Sequence, residues 1–203
     1  MERRELMAPT TGPMPTSPPR RSARQRLLEA ADELFYDEGV QTVGIDRVIE
    51  RAGVAKASLY NTFGSKEELV RAYLDARHER TTARLHAAVE RHSDPVARVF
   101  AVFDAQADMI AQPTFRGCAF MSAGAEAPPG GLVEDAVDSY RADIRALFTR
   151  LATETGAPDP TTLGRQLHLL YDGAIISGQL DRDPSITVAA RAAVAALLDA
   201  ALL

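Results

Sequence analysis

A single glycine, Gly53, separates two short helical segments near the amino end of the chain. Residues 45–52 place their three branched aliphatic side chains on one face, and residues 54–63 begin a second helical segment directly after the glycine. A connection this short forces the two helices to cross at close range. This is the helix-turn-helix arrangement, in which the second helix can enter a groove of DNA.

A third helix is predicted before this pair. Apolar residues recur at helical spacing from Ser22 onward, and the run ends at Gly39. Residues 1–21 differ in character, because they contain five prolines and several arginines and few apolar side chains to bury. We therefore predict a disordered basic arm over residues 1–21, followed by a helix-turn-helix DNA-binding domain over residues 22–66.

The helical segments become longer in the rest of the chain. Ser65 followed by Glu68 is the signature of a capping box, and the helix that it opens extends to about His92, a length of roughly 40 Å. Helical periodicity is found again in residues 95–112, 133–151, 163–178 and 186–202. No alternating strand pattern occurs in the sequence. These features predict an all-α fold of about nine helices, with residues 67–203 as a second, larger domain.

Residues 39–69 read GVQTVGIDRVIERAGVAKASLYNTFGSKEEL. This segment resembles the TetR family of transcriptional regulators. The matching residues are Gly39, Ile45, Val48, Ala52-Gly53-Val54, Lys56, Ser58-Leu59-Tyr60, Phe63, Ser65-Lys66 and Leu69. Residues 67–203 resemble the family mainly in helix lengths and arrangement. The resemblance implies an N-terminal domain that binds operator double-stranded DNA and a C-terminal helical domain for ligand binding and dimerisation.

The start of the second helix of the pair is suited to close contact with DNA. Ala55, Ala57 and Ser58 are short, so the helix backbone can approach the floor of the major groove while Lys56 reaches a base edge or a phosphate. Lys66 is predicted at a helix N-terminus, where backbone N–H groups favour a phosphate. With the family resemblance and the basic arm, the predicted DNA-contact residues are Arg20, Arg21, Arg24, Gly44, Arg47, Lys56, Ala57, Ser58, Tyr60, Asn61, Thr62 and Lys66.

Three positions in this segment depart from the family pattern. Gly44 replaces the usual Ser or Thr, which removes a hydroxyl that would cap the second helix and meet a phosphate. Asp46 adds a negative charge that suits the helix dipole but not DNA, with Arg47 as a compensating charge. Thr62 replaces the commoner His or Tyr. We expect weaker DNA contact at this edge, and a packing module without DNA contacts is the alternative interpretation of the unit.

The overall charge argues against a protein that coats nucleic acid through bulk electrostatics. The chain carries 23 basic and 28 acidic side chains, which gives a net charge of −5. The charges are unevenly distributed, since residues 6–28 contain four arginines and no acidic residue. We therefore expect the chain to meet DNA at its amino end.

The larger domain contains aromatic and sulfur-containing residues that could line an apolar effector pocket, with a few polar residues to orient the ligand. The candidates are Phe100, Phe103, Gln106, Met109, Phe115, Arg116, Cys118, Phe120, Met121, Tyr140, Phe148, His168, Tyr171 and Asp172. For each aromatic or methionine, a place in the packed core is the alternative interpretation. For Cys118, the only cysteine, the alternatives are a buried small residue and a redox-sensitive thiol.

Several classes of function are disfavoured by what the sequence lacks. It contains no recognised catalytic motif, and its four histidines do not form the i, i+4 pair typical of a metal site. We therefore expect no enzyme activity, no cofactor and no metal. No apolar run is long enough to span a membrane or to form a signal peptide, and one cysteine cannot form an internal disulfide, so we expect a cytoplasmic protein.

Two recognition helices about 34–36 Å apart can read a palindromic site, so a homodimer is expected. The last two helices would supply its interface, through Leu163, Leu167, Leu170, Ala174, Ile175, Val188, Ala192 and Ala195. The sequence thus predicts a dimeric regulator, acting as a repressor, that a small and mainly apolar effector releases from DNA. The alternative is a helical small-molecule-binding protein or enzyme whose N-terminal unit no longer binds DNA.

Overall fold

The computed structural model describes residues 21–183 and 185–202. Within these residues the chain forms nine α-helices and no strand, which confirms the predicted all-α fold. The helices are α1 (Ala23–Glu38), α2 (Ile45–Ala52), α3 (Lys56–Phe63), α4 (Lys66–Glu90), α5 (Pro95–Ile110), α6 (Ala119–Glu126), α7 (Leu132–Glu154), α8 (Pro160–Asp181) and α9 (Ile186–Leu202). Arg20, one of the predicted DNA-contact residues, lies outside the described residues.

Helices α1, α2 and α3 pack together in a small N-terminal unit. Leu27 of α1, Val48 of α2 and Leu59 of α3 are fully buried and belong to the same apolar cluster. Burial of each such side chain contributes roughly 1.5–3 kcal/mol. This packing is needed because α2 and α3 have only eight residues each, too few for a helix to be stable alone in water.

The turn between α2 and α3 has the tight geometry expected of a helix-turn-helix. Gly53 ends α2 with φ 60° and ψ 44°, a left-handed conformation that glycine adopts without steric cost. Arg26 of α1 holds this turn in place, since it donates hydrogen bonds to the carbonyl oxygens of Ala52 (3.2 Å) and Gly53 (2.8 Å). α3 begins at Lys56, two residues later than predicted, because Ala55 is extended and serves as the N-cap.

Helix α4 contacts both parts of the molecule. The Ser65 hydroxyl accepts a hydrogen bond from the Glu68 N–H (3.1 Å), which confirms Ser65 as the N-cap of this helix. Near its beginning α4 packs on α1, where the rings of Tyr73 and Phe35 meet edge to face with centroids 5.6 Å apart. α4 also packs against α5 and α7. It is therefore a direct mechanical connection between the N-terminal unit and the remaining helices.

Helices α5 to α9, together with α4, form a larger helical body. α7 packs on α8 and α4, and α9 packs on α8 and α5. The short α6 lies against α7 and α4, and the sequence analysis did not place a helix there. Among the described residues, no helix combines enough length with enough apolar character to cross a bilayer.

Most of the dimer-interface residues predicted on α8 lie inside the subunit. Four of its predicted residues are at most 3 % exposed inside the subunit, namely Leu163, Leu167, Ala174 and Ile175. Leu170 is half-buried and packs against the same core. The four buried side chains fill the interior of one subunit, so little of their surface is left for contact with a second copy. On α9, Val188 and Ala192 are exposed and Ala195 is half-buried.

Helix α8 has apolar residues on two sides. Leu169, Ile176 and Leu180 lie on one stripe of the helix and are exposed to solvent. Their spacing of seven and four residues is as helical as that of the buried set, so periodicity alone does not distinguish the two sides. The exposed stripe is the apolar surface of α8 that lies open to solvent.

Candidate functional site

The side of α3 opposite its core contact carries five of the twelve predicted DNA-contact residues. Leu59 is fully buried, while Ser58 is half-buried. The residues exposed to solvent are Lys56, Ala57, Tyr60, Asn61 and Thr62. Tyr60 is 45 % exposed, and core packing does not account for a large ring in this position. The face thus presents an ammonium, a phenol and an amide on one short helix.

Lys56 is held by a carboxylate on the neighbouring helix. Its Nζ lies 2.9 Å from Oδ1 of Asp46 at the start of α2. This hydrogen bond raises the pKa of Lys56, so the side chain stays positively charged throughout the physiological pH range. Both side chains are exposed, and such pairs add little to stability. A DNA phosphate or base would therefore have to compete with Asp46 for Lys56.

Two arginines of α2 are paired with carboxylates of α1. Arg47 donates two hydrogen bonds to Glu38, at 2.6 and 2.8 Å, and Arg51 pairs with Glu33. The Arg47–Glu38 hydrogen bonds raise the pKa of Arg47 and lower the pKa of Glu38. Glu38 thus offsets the charge of Arg47, a predicted DNA-contact residue, and a phosphate would compete with this carboxylate for the guanidinium.

The predicted basic arm enters the described part of the chain at Arg21. Its Nη1 lies 2.6 Å from Oε2 of Glu29, an exposed pair on the surface of α1. Arg24, one turn further along, places its guanidinium carbon 5.6 Å from the centroid of the Phe63 ring at the end of α3. Arg24 therefore adds positive charge beside the recognition helix. Arg26 instead donates hydrogen bonds to the carbonyl oxygens of the α2–α3 turn.

The remaining predicted contacts lie at helix ends and reflect the departures from the family pattern. Gly44 is the N-cap of α2 and makes no side-chain cap bond. The Thr62 hydroxyl donates to the carbonyl oxygen of Ser58 (2.6 Å), so in this rotamer it has no hydrogen to donate to a phosphate. Lys66 is the first residue of α4 and is half-buried beside the helix N-terminus.

Five of the predicted ligand-binding residues pack against one another in the body. The rings of Phe103, Phe148 and Tyr171 have centroids between 5.6 and 6.2 Å apart. Phe120 stacks on Tyr140 at 3.7 Å. All five are at most 6 % exposed. Because each ring fills the space beside the next, the structure supports the packed-core interpretation for these residues.

The predicted polar anchors of the body have partners within the protein. The Gln106 amide donates to the carbonyl oxygen of Tyr171 (2.8 Å). Asp172 accepts a hydrogen bond from Arg141 (3.0 Å) and lies 3.6 Å from His168 Nε2. Burial lowers the pKa of His168, although the nearby Asp172 carboxylate opposes this. Within the described residues, no group of three or more His, Cys, Asp or Glu side chains could hold a metal ion.

The other candidates are spread over the surface of the body. Phe115 and Arg116 line a cleft of about 670 Å³ between the ends of α5 and α8. Met121, with the stacked Phe120, lines a cleft of about 380 Å³ beside α7. The predicted set is therefore divided between a packed core and separate clefts, and it does not surround one cavity.

Phe100, Met109 and Cys118 each have a local environment of their own. The Phe100 ring lies under the Arg191 guanidinium, at 4.5 Å. The Met109 sulfur lies 3.3 Å from Nη2 of Arg84, a residue that the sequence analysis did not single out. Burial raises the pKa of the Cys118 thiol, which disfavours the reactive thiolate.

Hydrogen bonds join both ends of α6 to the N-terminal unit, and the sequence analysis predicted neither set. The Tyr36 hydroxyl of α1 donates to the carbonyl oxygen of Gly117 (3.0 Å) and accepts from the Arg116 N–H (3.0 Å). At the other end, the Gln41 N–H donates to the Glu126 carboxylate (2.7 Å). Gly117 has φ 94°, a conformation that glycine adopts readily. No local pattern could reveal these contacts, because the partners are 80 or more residues apart.

Comparisons with known proteins agree with this geometry. A family model described as bacterial regulatory proteins, tetR family, matches residues 27–73. The crystal structure of a TetR-family transcriptional regulator from Streptomyces coelicolor aligns with a TM-score of 0.85 at 37 % identity, covering 89 % of this chain and 96 % of that one.

Two curated proteins are similar over shorter segments. The transcriptional activator FasR of Mycolicibacterium smegmatis is 37 % identical over 92 residues, which are 45 % of this chain and 42 % of FasR. The transcriptional repressor KstR2 of Mycobacterium tuberculosis is 32 % identical over 89 residues, 44 % of each chain. The chain thus matches less than half the length of either curated relative.

Proposed function

The chain belongs to the TetR family of transcriptional regulators, and on that premise we propose that it represses genes in the cytoplasm by binding a palindromic operator. The observation that carries the proposal is the solvent-exposed side of α3, where Lys56, Tyr60 and Asn61 lie opposite the buried Leu59. Core packing explains Leu59 but not the polar side. The similar curated proteins include both an activator and a repressor, so repression is the specific part of this proposal.

We propose that the working unit is a homodimer formed through α8 and α9. Leu169 and Leu180 of α8 are 67 % and 73 % exposed, and Val188 of α9 is 71 % exposed. Large apolar side chains exposed on two adjacent helices favour burial against a partner. Gly173 and Ala192 are exposed on the same two helices, and such small residues allow helices to approach closely. A twofold axis would then present two α3 helices to one palindrome.

We propose that an effector acts by shifting α4 and α6 relative to the N-terminal unit. α4 packs on α1 through Tyr73, and α6 is hydrogen-bonded to Tyr36 and Gln41. A ligand that prefers a shifted position of these helices would change the separation of the two α3 helices in the dimer. Coupling of this kind is typically about 1–3 kcal/mol and is reciprocal. Equal effector affinity with and without operator, measured by calorimetry, would contradict this mechanism.

The test of DNA binding is an electrophoretic mobility shift with fragments from upstream of the chain's own gene. The double variant Lys56→Ala/Tyr60→Ala should abolish the sequence-specific shift, since each lost base contact costs about 1–3 kcal/mol. Arg91→Ala is the control, because it removes an exposed positive charge at the far end of α4. If the wild-type protein shifts no genomic fragment, the alternative function, a ligand-binding protein or enzyme with an inactive N-terminal unit, is favoured instead.

A further inference from the structure

A cleft of about 700 Å³ lies between α1, α4 and the C-terminal end of α5. It is formed by both the N-terminal unit and the body, and its lining includes none of the five packed aromatic residues. Its polar walls differ in charge, with acidic residues on the α1 side and arginines on the α4 side. The lining residues used below are Asp32, Glu33, Asp37, Arg77, Arg80 and Arg84, with Met109 and Phe115 as apolar surface.

The three carboxylates of this cleft already have arginine partners. Asp32 accepts from Arg77 at 2.7 Å and from Arg80 at 2.6 Å. Glu33 pairs with Arg51 of α2, and Asp37 lies 3.4 Å from Arg116. The acidic side of the cleft is thus neutralised by the protein itself. It does not present free negative charge that would repel an anion.

Arg84 is the exception among the arginines of this cleft. Within the described part of the chain it forms no ion pair, and its Nη2 contacts the Met109 sulfur, which is only a weak acceptor. Its Nε is buried and has no hydrogen-bond partner. Buried donors in folded proteins are nearly always satisfied, and an unsatisfied donor on a charged group is costly. Arg84 thus lines the cleft with a guanidinium whose charge no carboxylate of the described residues balances, and a negatively charged acceptor matches it best.

The shape of the donor and its surroundings restricts the chemical class of this acceptor. A guanidinium presents parallel N–H groups that fit the two oxygens of a carboxylate. Met109 and Phe115 provide apolar surface beside Arg84, and Thr81 lines the same cleft as a small polar residue. A small molecule with a carboxylate at one end and a short hydrocarbon body satisfies both features.

We propose that this cleft binds a small organic carboxylate, with Arg84 as the residue that anchors the carboxylate group. The role of this ligand as the effector rests on the function proposed above, but its binding does not. Because α1 and α4 form opposite walls of the cleft, an occupant would contact the N-terminal unit and the body together. This gives a direct route from ligand binding to the position of α1.

The test uses the full-length protein and calorimetric titration with straight-chain carboxylates from butanoate to decanoate and with benzoate. The matching primary alcohols and benzyl alcohol serve as neutral probes. At least one acid should bind with a Kd below about 1 mM, and about tenfold or more tightly than its alcohol, because the charge-assisted hydrogen bonds to Arg84 are lost with the alcohol.

Variants separate Arg84 from general positive charge. Arg84→Gln should weaken binding of the acid by about tenfold or more, while Arg84→Lys should give an intermediate loss. Arg80→Gln removes the same charge from the same cleft at a residue already paired with Asp32, and should change affinity by less than about threefold. Unfolding curves of each variant show whether the fold is intact, and Arg84→Lys keeps the test valid if Arg84→Gln does not fold.

The proposal is overturned if no acid of the series binds, if acids and alcohols bind equally, or if Arg84→Gln and Arg80→Gln have the same effect. A mobility shift with operator DNA on the same wild-type sample separates this outcome from the function. Carboxylate binding without any DNA shift would remove the regulatory role and leave the site. A DNA shift without carboxylate binding would support the regulatory role and overturn the proposed carboxylate site.

Discussion

Helix α3 of the N-terminal unit and helix α8 of the body differ in how well apolar spacing predicts exposure. α3 has eight residues and one apolar side, with Leu59 buried and the polar side open to solvent. α8 has 22 residues and apolar side chains on two sides, so that Leu167 is buried while Leu169 and Leu180 are exposed. A helix at the edge of a small unit needs one apolar face, whereas a helix between a core and a second surface needs two. Spacing therefore identifies the exposed side of α3 but not that of α8.

The two regions also differ in where their polar groups find partners. In the N-terminal unit, Arg47–Glu38 and Lys56–Asp46 are exposed ion pairs that can be exchanged for contacts with a polyanion at small cost. In the body, Gln106 is buried, so the loss of its hydrogen bond would leave a buried donor without an acceptor and lower the free energy of unfolding. The N-terminal unit is thus suited to a polar partner, and the interior of the body is suited to stable packing.

The substitution with the largest expected effect tests whether the aromatic residues of the body form a packed core or line a ligand pocket. Phe148→Ala should lower the free energy of unfolding by about 3–5 kcal/mol, because Phe148 is fully buried against Phe103 and Tyr171. Urea denaturation followed by circular dichroism measures this. Phe100→Ala, at a half-buried ring, is the matched control and should cost less. A loss below about 1 kcal/mol at Phe148 would restore the ligand-pocket interpretation.

The substitution with the second largest expected effect tests which side of α8 contacts a second subunit. Leu169→Glu should weaken dimerisation by about a hundredfold or more, because a twofold interface would bury the introduced carboxylate twice. Sedimentation equilibrium measures the dissociation constant. Ala83→Glu, which adds the same charge at an exposed position of α4, should leave association unchanged. If Leu169→Glu stays as dimeric as the wild type, the exposed stripe of α8 is not the interface.

A smaller effect concerns the connection between the two regions. Tyr36→Phe removes the hydroxyl that bonds to Gly117 and Arg116 and keeps the ring under Arg77. The free energy of unfolding should fall by about 1–2 kcal/mol, since two hydrogen bonds are lost. Urea denaturation checks this value. An unchanged stability would mean that these hydrogen bonds do not hold α6 to the N-terminal unit.

The smallest effect is a pH dependence that belongs to the body alone. Burial lowers the pKa of His168 in the folded protein below its value of about 6.5 in the unfolded chain. The unfolded state therefore binds the proton more tightly, and stability should fall as the pH drops below about 6.5 until it passes the folded pKa. Comparison of urea midpoints at about pH 7.5 and 5.5 for the wild type and His168→Gln isolates this residue. Equal pH dependence in both proteins would mean that ionisable groups other than His168 cause the change in stability.

Most of the helices could be predicted from the sequence, and the exceptions have physical reasons. The bounds of α2 follow from three aliphatic residues at helical spacing and from Gly53, which ends the helix. The start of α4 follows from the hydroxyl of Ser65. α6 was missed because it is built mainly of small residues and has no marked polar side, so only its packing against α7 and α4 identifies its place.

By itself the sequence determined that a short helix with a polar side follows a glycine turn, because that depends on residues within a few positions of one another. Only the tertiary structure decided which side of α8 is covered, which tyrosine joins α6 to α1, and which arginine of the cleft between α1 and α4 lacks a carboxylate. Arg84 meets Met109 and Tyr36 meets Gly117 across 25 and 81 residues of chain. Helical spacing says nothing about partners that far apart, because they are chosen by how the helices pack.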